Sequence, residues 1–387
     1  MTTLLHNATR VDERGELLDA WVLLDGETIA AAGSGAGSGA GAGSGAVPDA
    51  DQTIDLDGAV IAPGFVDLHG HGAGGHAYDD GGTELTAALA VHRAHGTTRS
   101  VVSIVTNPLA ELRERLAEVA ALTASDPLVL GSHLEGPFLA RARRGAHNPD
   151  FLREPDQATI ESLLAAAADT LRHLTRAPEL RGALAAVGQL TDSGVVVAVG
   201  HTEADLDTTR AAFDAGARIL THVFNAMPGI HHREPGPVVA GIDDPRITLE
   251  LVLDGHHVHP DVAEMLFRAA PGRVALITDS MAAAASADGN YRLGSLNVTV
   301  RDGLAVLSGT STIAGSTLTQ DAALHNAVAL SGLSRAEAVA ALTAVPARAL
   351  GRGTRLGLLE AGYAADVVVL DDALHVTGVW ANGAQLR

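Results

Sequence analysis

The sequence predicts an α/β fold: a (β/α)8 TIM-like barrel with a small β-sandwich domain built from both termini. Three observations predict it. Continuous apolar runs alternate with Ala/Leu/Arg-rich helical runs through the middle of the chain, the pattern of a parallel sheet covered by helices. Seven or eight such repeats fill roughly 280 residues, which suits a closed barrel better than an open doubly wound sheet. Both ends read as short strands without helices. The expected boundaries are 1–59 and 348–387 for the terminal domain and 60–347 for the barrel.

Taken in order, the N-terminal part offers the strands Ala20–Leu24 and Thr53–Leu56. Between them residues 33–46 read GSGAGSGAGAGSGA, which has no side chain able to pack and predicts a flexible surface loop. The apolar runs that follow predict strands at Ile61–Leu68, Ser100–Thr106, Leu128–His133, Val195–Val199, Ile219–Val223, Leu249–Leu253 and Val274–Thr278. Helical patterns follow most of them, among them Leu109–Leu122, Ala204–Ala215, Pro260–Ala269 and Ser316–Leu330. Residues 290–308 read as a hairpin, and Ser311–Ala314 is the expected place of the last barrel strand. At the C-terminus Asp366–Leu370 and His375–Trp380 return to strand pattern, the second followed by the turn-forming Asn382-Gly383.

Composition excludes whole classes of chemistry. The 387 residues include no Cys, so disulfides, thiolate ligands and a Cys nucleophile are ruled out. All 26 basic residues are Arg. Without lysine there is no Schiff base, no Walker A loop and no metal pair bridged by a carbamylated lysine. Histidine is abundant at 18, which leaves imidazole/carboxylate metal chemistry. A formal charge of −20 disfavours nucleic-acid or anionic-membrane partners. No apolar stretch reaches the roughly 18 residues of a membrane span, and no signal peptide is visible, so a cytoplasmic protein is expected.

The chemistry gathers at strand ends. The first strand closes in Asp67-Leu68-His69-Gly70-His71, and residues two apart on a strand share a face, so His69 and His71 can point at one ion. Other ends read His133-Leu134-Glu135-Gly136-Pro137, Gly200-His201-Thr202, Thr221-His222-Val223-Phe224-Asn225-Ala226 and Thr278-Asp279-Ser280. A single histidine at a strand end is ordinarily a capping or loop residue. Glu135 and Asp279 taken singly fit helix N-terminal roles as well. Five strand ends that each finish in a ligand-type residue make a metal site at the barrel rim the economical reading. His92, His95, His173, His325 and His375 fall in predicted helices or connections and are expected to be surface or locally satisfied residues. Gly72–Gly75 lacks dinucleotide-binding spacing.

These motifs resemble the amidohydrolase superfamily, and within it the N-acetylglucosamine-6-phosphate deacetylases. Arg144-Gly145-Ala146-His147-Asn148, Arg233-Glu234-Pro235-Gly236, Asp254-Gly255-His256-His257 and Ala314-Gly315-Ser316-Thr317 extend the resemblance along nearly the whole chain. It implies Glu135, His201 and His222 as ligands of a principal divalent ion. Glu135 stands where many relatives carry the modified lysine that this chain lacks. His69 and His71 match members that hold a second ion. Zn²⁺ is the expected metal, with Fe²⁺ or another divalent ion as the alternative, and one or two ions per subunit.

The resemblance further implies hydrolysis of N-acetyl-D-glucosamine 6-phosphate to D-glucosamine 6-phosphate and acetate. Asp279 would be the general base and acid, and His147 a donor to the oxyanion. It nominates Arg233, His257 and the main chain of Asn225 and Ala226 for the phosphate, and Ala146, His147, Ile313, Ala314 and Gly315 for the sugar. A homodimer is implied, with Arg233 reaching across the interface; on sequence alone His231-His232-Arg233 reads equally as a solvated loop. The alternatives are a deacetylase of another sugar phosphate such as N-acetylgalactosamine 6-phosphate, a deaminase on the same scaffold, or a catalytically silent scaffold protein, which would be expected to have lost ligands or base.

Overall fold

The computed structural model describes residues 1–35 and 47–387. The predicted loop over 33–46 therefore lies outside the described residues from 36 onward. Gly33 and Ser34 end a regular strand, Thr28–Ser34.

Eight parallel strands form the barrel: β1 (Phe65–Gly70), β2 (Thr97–Val105), β3 (Val129–Glu135), β4 (Leu171–Arg176), β5 (Val196–Val199), β6 (Ile219–Leu220), β7 (Thr248–Val252) and β8 (Val274–Ile277). Each pairs with its sequence neighbour from β1 to β8. The two ends of the series meet just beyond β8, where Asp279 N donates to His69 O at 2.8 Å and His71 N donates to Ser280 O at 2.7 Å. Most predicted helices form where expected. Leu109–Ser125 follows β2, and Pro260–Ala269 follows β7 with proline in its first turn, where no N–H is required. Leu206–Ala215 begins at Asp205, whose carboxylate accepts from Thr208 N.

Three strand predictions change. The eighth barrel strand is not Ser311–Ala314 but β4, Leu171–Arg176, fourth in order. Only two residues of its sequence LRHLTR, Leu171 and Leu174, are apolar, so it hides from a search for apolar runs. Residues 311–314 instead run beside a three-stranded antiparallel insert after β8, made of Gly289–Leu293, Leu296–Arg301 and Leu304–Leu307. Ile313 bridges to Val306, and Ala314 N donates to Ala305 O at 3.1 Å. The predicted strand Ile61–Leu68 is two strands, Val60–Pro63 and β1, with a break at Gly64. A Cβ on Gly64 would lie 2.2 Å from Thr98 Oγ1, so only glycine fits there.

The terminal strands build a separate mixed sheet. Thr2–Asp12 pairs antiparallel with Gly15–Asp25, which pairs with Thr28–Ser34. On its other side Thr2–Asp12 runs parallel to Gln52–Asp55 and Val60–Pro63. The C-terminal strands Val367–Leu370, Val376–Ala381 and Ala384–Gln385 continue from Val60–Pro63. Leu5, Val22, Ile29, Ile61, Val367 and Trp380 meet in its core. Contacts divide the chain into two compact units, one of Met1–Val66, His92–Arg99 and Gln320–Arg387, the other of Asp67–Val91 and Ser100–Thr319. No helix among the described residues is long and apolar enough to cross a membrane.

Candidate metal centre and active site

All the ligand-type residues predicted from strand ends lie in the second unit; His71, Glu135, His201, His222 and Asp279 line one cavity of about 370 Å³, and His69 is fully buried. Glu135 ends β3 and sits at the centre. Its Oε1 is 2.9 Å from His201 Nε2 and 3.1 Å from His222 Nε2, and those two nitrogens are 3.0 Å apart. Its Oε2 is 3.2 Å from His71 Nε2 and 3.5 Å from His69 Nε2. Asp279 Oδ1 closes the second group, 3.4 Å from His71 and 3.5 Å from His69. His69, His71, Glu135 and Asp279 are all buried and offer donor atoms within 4.8 Å of one another.

Strained turns aim these groups. His201 (φ 48°), His222 (φ 25°) and Asp279 (φ 45°) each take positive φ where their strands end. Such backbone is costly for a non-glycine residue and persists where the surroundings enforce it, which is common at functional sites. Gly200, before His201, faces Thr221 and Thr175 so closely that a Cβ would meet the Thr221 Cβ at 2.7 Å.

The donor set suits a cation. His201 Nδ1 lies 2.8 Å from Arg143 O, a pure acceptor, so its proton sits on Nδ1 and the Nε2 lone pair faces both His222 and Glu135. Lone pairs and carboxylate oxygens aimed at one another repel unless positive charge lies between them. Burial would raise the Glu135 carboxyl, yet the imidazoles of His69 and His147 outweigh it and hold the group well below its usual range. Burial opposes charge on His69 and His71 too, but the facing acids raise both, His71 to about 9. Asp279 is held at about 2, because His69 and His71 overcome its burial. A divalent ion meets the same demand for positive charge with the imidazoles neutral.

His147 differs from the ligands. Thr106 N donates to its Nδ1 at 3.4 Å, so Nε2 carries the proton and points at Glu135 Oε2, 3.4 Å away. It is a hydrogen-bond donor at the cavity wall. His257 also lines the cavity, with Nδ1 2.7 Å from Asp254 Oδ2. Burial disfavours its charge, but Asp254 raises its pKa above the ordinary value. Ala146, Asn225, Ala226, Ile313 and Gly315 line the cavity as well. Asn225 N is taken up by His222 O at 2.9 Å. Ala314 is fully buried in the core of the insert, and Arg233 is exposed on the loop 228–235; neither lines the cavity of this chain.

Several buried polar residues escaped the sequence reading. His173, expected in a connection, lies on β4 beneath the metal cluster and stacks on His133 at 4.1 Å. Burial above all pushes its pKa down to about 4, so it is neutral. His92 is buried as well. His95 and His375 do pair locally, with Asp321 and Asp371. Asp67 anchors β1 at the barrel seam by accepting from Thr278 Oγ1 at 2.7 Å. Glu250 is fully buried on β7, and its only signal in the sequence is an acid inside the apolar run Leu-Glu-Leu-Val.

Known proteins resemble this chain in sequence and fold. The amidohydrolase family profile matches residues 60–386. The N-acetylgalactosamine-6-phosphate deacetylase of Escherichia coli O157:H7 is 41% identical over 333 residues, 85% of this chain and 88% of that protein. The N-acetylglucosamine-6-phosphate deacetylase of Bos taurus is 35% identical over 348 residues, covering 86% and 85%. A Mycobacterium smegmatis N-acetyl-D-glucosamine-6-phosphate deacetylase, solved in complex with N-acetyl-D-glucosamine-6-phosphate, superposes with a TM-score of 0.92 at 43% identity over 100% of this chain and 99% of that one. The chain belongs to the amidohydrolase family and, within it, to the branch of the N-acetylglucosamine-6-phosphate deacetylases.

Proposed function

We propose that the chain is a metal-dependent, cytoplasmic deacetylase that hydrolyses N-acetyl-D-glucosamine 6-phosphate to D-glucosamine 6-phosphate and acetate. The observation that carries this reading is the buried cluster of His69, His71, Glu135 and Asp279 on the cavity floor, in a chain 43% identical to an enzyme solved with that sugar phosphate. Glu135, His201 and His222 would hold the principal ion, and His69 and His71, beside Glu135, would hold a second; Zn²⁺ would suit the nitrogen and oxygen donors, with Fe²⁺ as the alternative. Held by these residues, a divalent ion would supply Lewis-acid chemistry, lowering the pKa of water toward about 7 and polarising the amide carbonyl.

The chain's own groups do the rest. Asp279, ionised and facing the cluster, takes the proton of the attacking water and returns it to the leaving amine, which departs poorly as an anion. The Nε2–H of His147 donates to the oxygen of the tetrahedral intermediate. His257, kept charged by Asp254, and the N–H of Ala226 receive the phosphate. Ala146, Ile313 and Gly315 form the wall against the sugar, with Ala314 anchoring the segment that presents Ile313 and Gly315. The exposure of Arg233 supports a homodimer in which Arg233 of the partner subunit completes the phosphate site. Residues 1–59 and 348–387 serve as the small terminal domain, and 60–347 as the catalytic body.

A second reading differs only at the sugar's C4. The 41% identity to an N-acetylgalactosamine-6-phosphate deacetylase favours it equally as a substrate class. Acetate release from both phosphorylated sugars, with and without chelator, tests the proposal. Chelator-sensitive release from the glucosamine form in preference to the other is expected. Preference for the galactosamine form selects the second reading, and release from neither rejects both.

A further inference from the structure

Glu250 occupies an interior strand position that an aliphatic side chain would ordinarily fill. Its side chain is fully buried on β7. Burying a carboxylate is costly unless charge and hydrogen bonds compensate for it. Yet Oε1 has no hydrogen-bond partner, and the nearest ring on that side is His173, 3.8 Å away and neutral. Oε2 has one contact to a donor, His69 Nδ1, at 3.5 Å. The far nitrogen of the same ring, Nε2, faces His71 Nε2 at 3.1 Å and an oxygen each of Glu135 and Asp279 at 3.5 Å. His69 thus stands between an acid behind it and the metal cluster in front. With a carboxylate accepting at Nδ1, the ring proton belongs there and the Nε2 lone pair is presented to the cluster.

We propose that Glu250 is a positioning residue of the metal centre: its carboxylate fixes the Nδ1–H tautomer of His69, and its charge strengthens the hold of His69, His71 and Glu135 on a second divalent cation. A carboxylate behind a ligand imidazole orients the ring and increases its basicity. The inference rests on the two-cation reading of the cluster.

The experiment compares wild type with Glu250→Gln, Glu250→Leu and His69→Asn. Each protein is stripped with chelator and titrated with Zn²⁺ against a chromophoric competitor, and Tm is measured before and after loading. Wild type takes up two ions. In Glu250→Leu one of the two binds roughly 10–100-fold more weakly while the other is unchanged. Glu250→Gln loses less, since its amide oxygen still accepts from Nδ1, and as an isosteric change it keeps the test open should the leucine variant misfold. The Zn²⁺-induced rise in Tm of Glu250→Leu is smaller than that of wild type. Both ions bound at wild-type affinity in both Glu250 variants overturn the role of Glu250 alone. So does an equal fall in Tm, stripped and loaded, with affinities unchanged, which is what a packing role would give. Wild type that binds a single ion, or His69→Asn that keeps two, rejects the two-cation reading and this role with it.

Discussion

Two buried clusters of charge teach opposite lessons. In the terminal unit Arg99 and Asp366 form a pair that is complete in itself. Asp366 Oδ2 accepts from Arg99 Nε at 2.6 Å and from Thr98 Oγ1 at 3.3 Å. Its Oδ1 accepts from Arg99 Nη2 at 3.0 Å and Asn382 N at 2.8 Å. Arg99 also reaches Asn382 Oδ1. At the barrel rim, by contrast, acids and imidazole lone pairs face one another, and His201, His222 and Asp279 stand on backbone of positive φ. The first cluster spends its polar groups on holding the fold. The second leaves them directed at a common point, where only a cation reconciles them.

This contrast can be broken from its strongest side first. Glu135→Gln removes the acid shared by both halves of the rim cluster. Deacetylation is expected to disappear with bound metal, measured by acetate release and elemental analysis, while the stripped protein melts near wild type. A large loss of stability would mean that Glu135 serves the fold. Asp279→Asn is expected to keep most of the metal and lower kcat by about 10²–10⁴-fold. Turnover close to wild type would take the base role from Asp279.

Asp366→Asn should behave in the reverse sense. Leaving the buried Arg99 guanidinium without its counter-charge is expected to cost about 3–5 kcal/mol in denaturant unfolding, with kcat of the folded fraction unchanged. Arg233→Ala is expected to raise KM for the phosphorylated sugar by roughly 10–100-fold, the worth of a charged hydrogen bond, and to leave N-acetylglucosamine itself nearly unaffected. Equal effects on the two sugars would sink the phosphate assignment.

The smallest effect concerns pH. His257 has a raised folded pKa, so its positive charge, and with it the pairing to Asp254, is fully present below the unfolded value of about 6.5 and is lost as pH rises through the folded value. Affinity for the phosphate should weaken over that same rise. Asp254→Asn is expected to move this alkaline limb of the KM profile to lower pH. An unmoved limb would assign it to another group.

Much of the site was legible because its residues announce themselves by type. His-x-His on a strand and the endings in Glu135, His201, His222 and Asp279 are ligand-type residues where a barrel places its chemistry. Other features were hidden by the same criteria. In β4 the inward His173 and the edge Arg172, which donates to Leu130 O at 2.7 Å, interrupt the apolar pattern. Ile61–Leu68 reads as a single strand because both sheets that it serves demand apolar residues. Glu250 gave only an anomaly, an acid in an apolar run, and nothing local named its partner.

By itself, then, the chain's composition and periodicity settled the barrel, the terminal strands and the donor types. Absence of lysine left a carboxylate as the only acid bridge available, and short-range pattern suffices for such conclusions because strands and helices are local. Which donors share an ion was decided only in three dimensions. Glu135 meets His201 and His222 from 66 and 87 residues away, through the register of strands that close on themselves. Which nitrogen of His69 faces the cluster, and which acid stands behind it, depends on side chains from opposite parts of that closed sheet, and no spacing along the sequence encodes a distance across its interior.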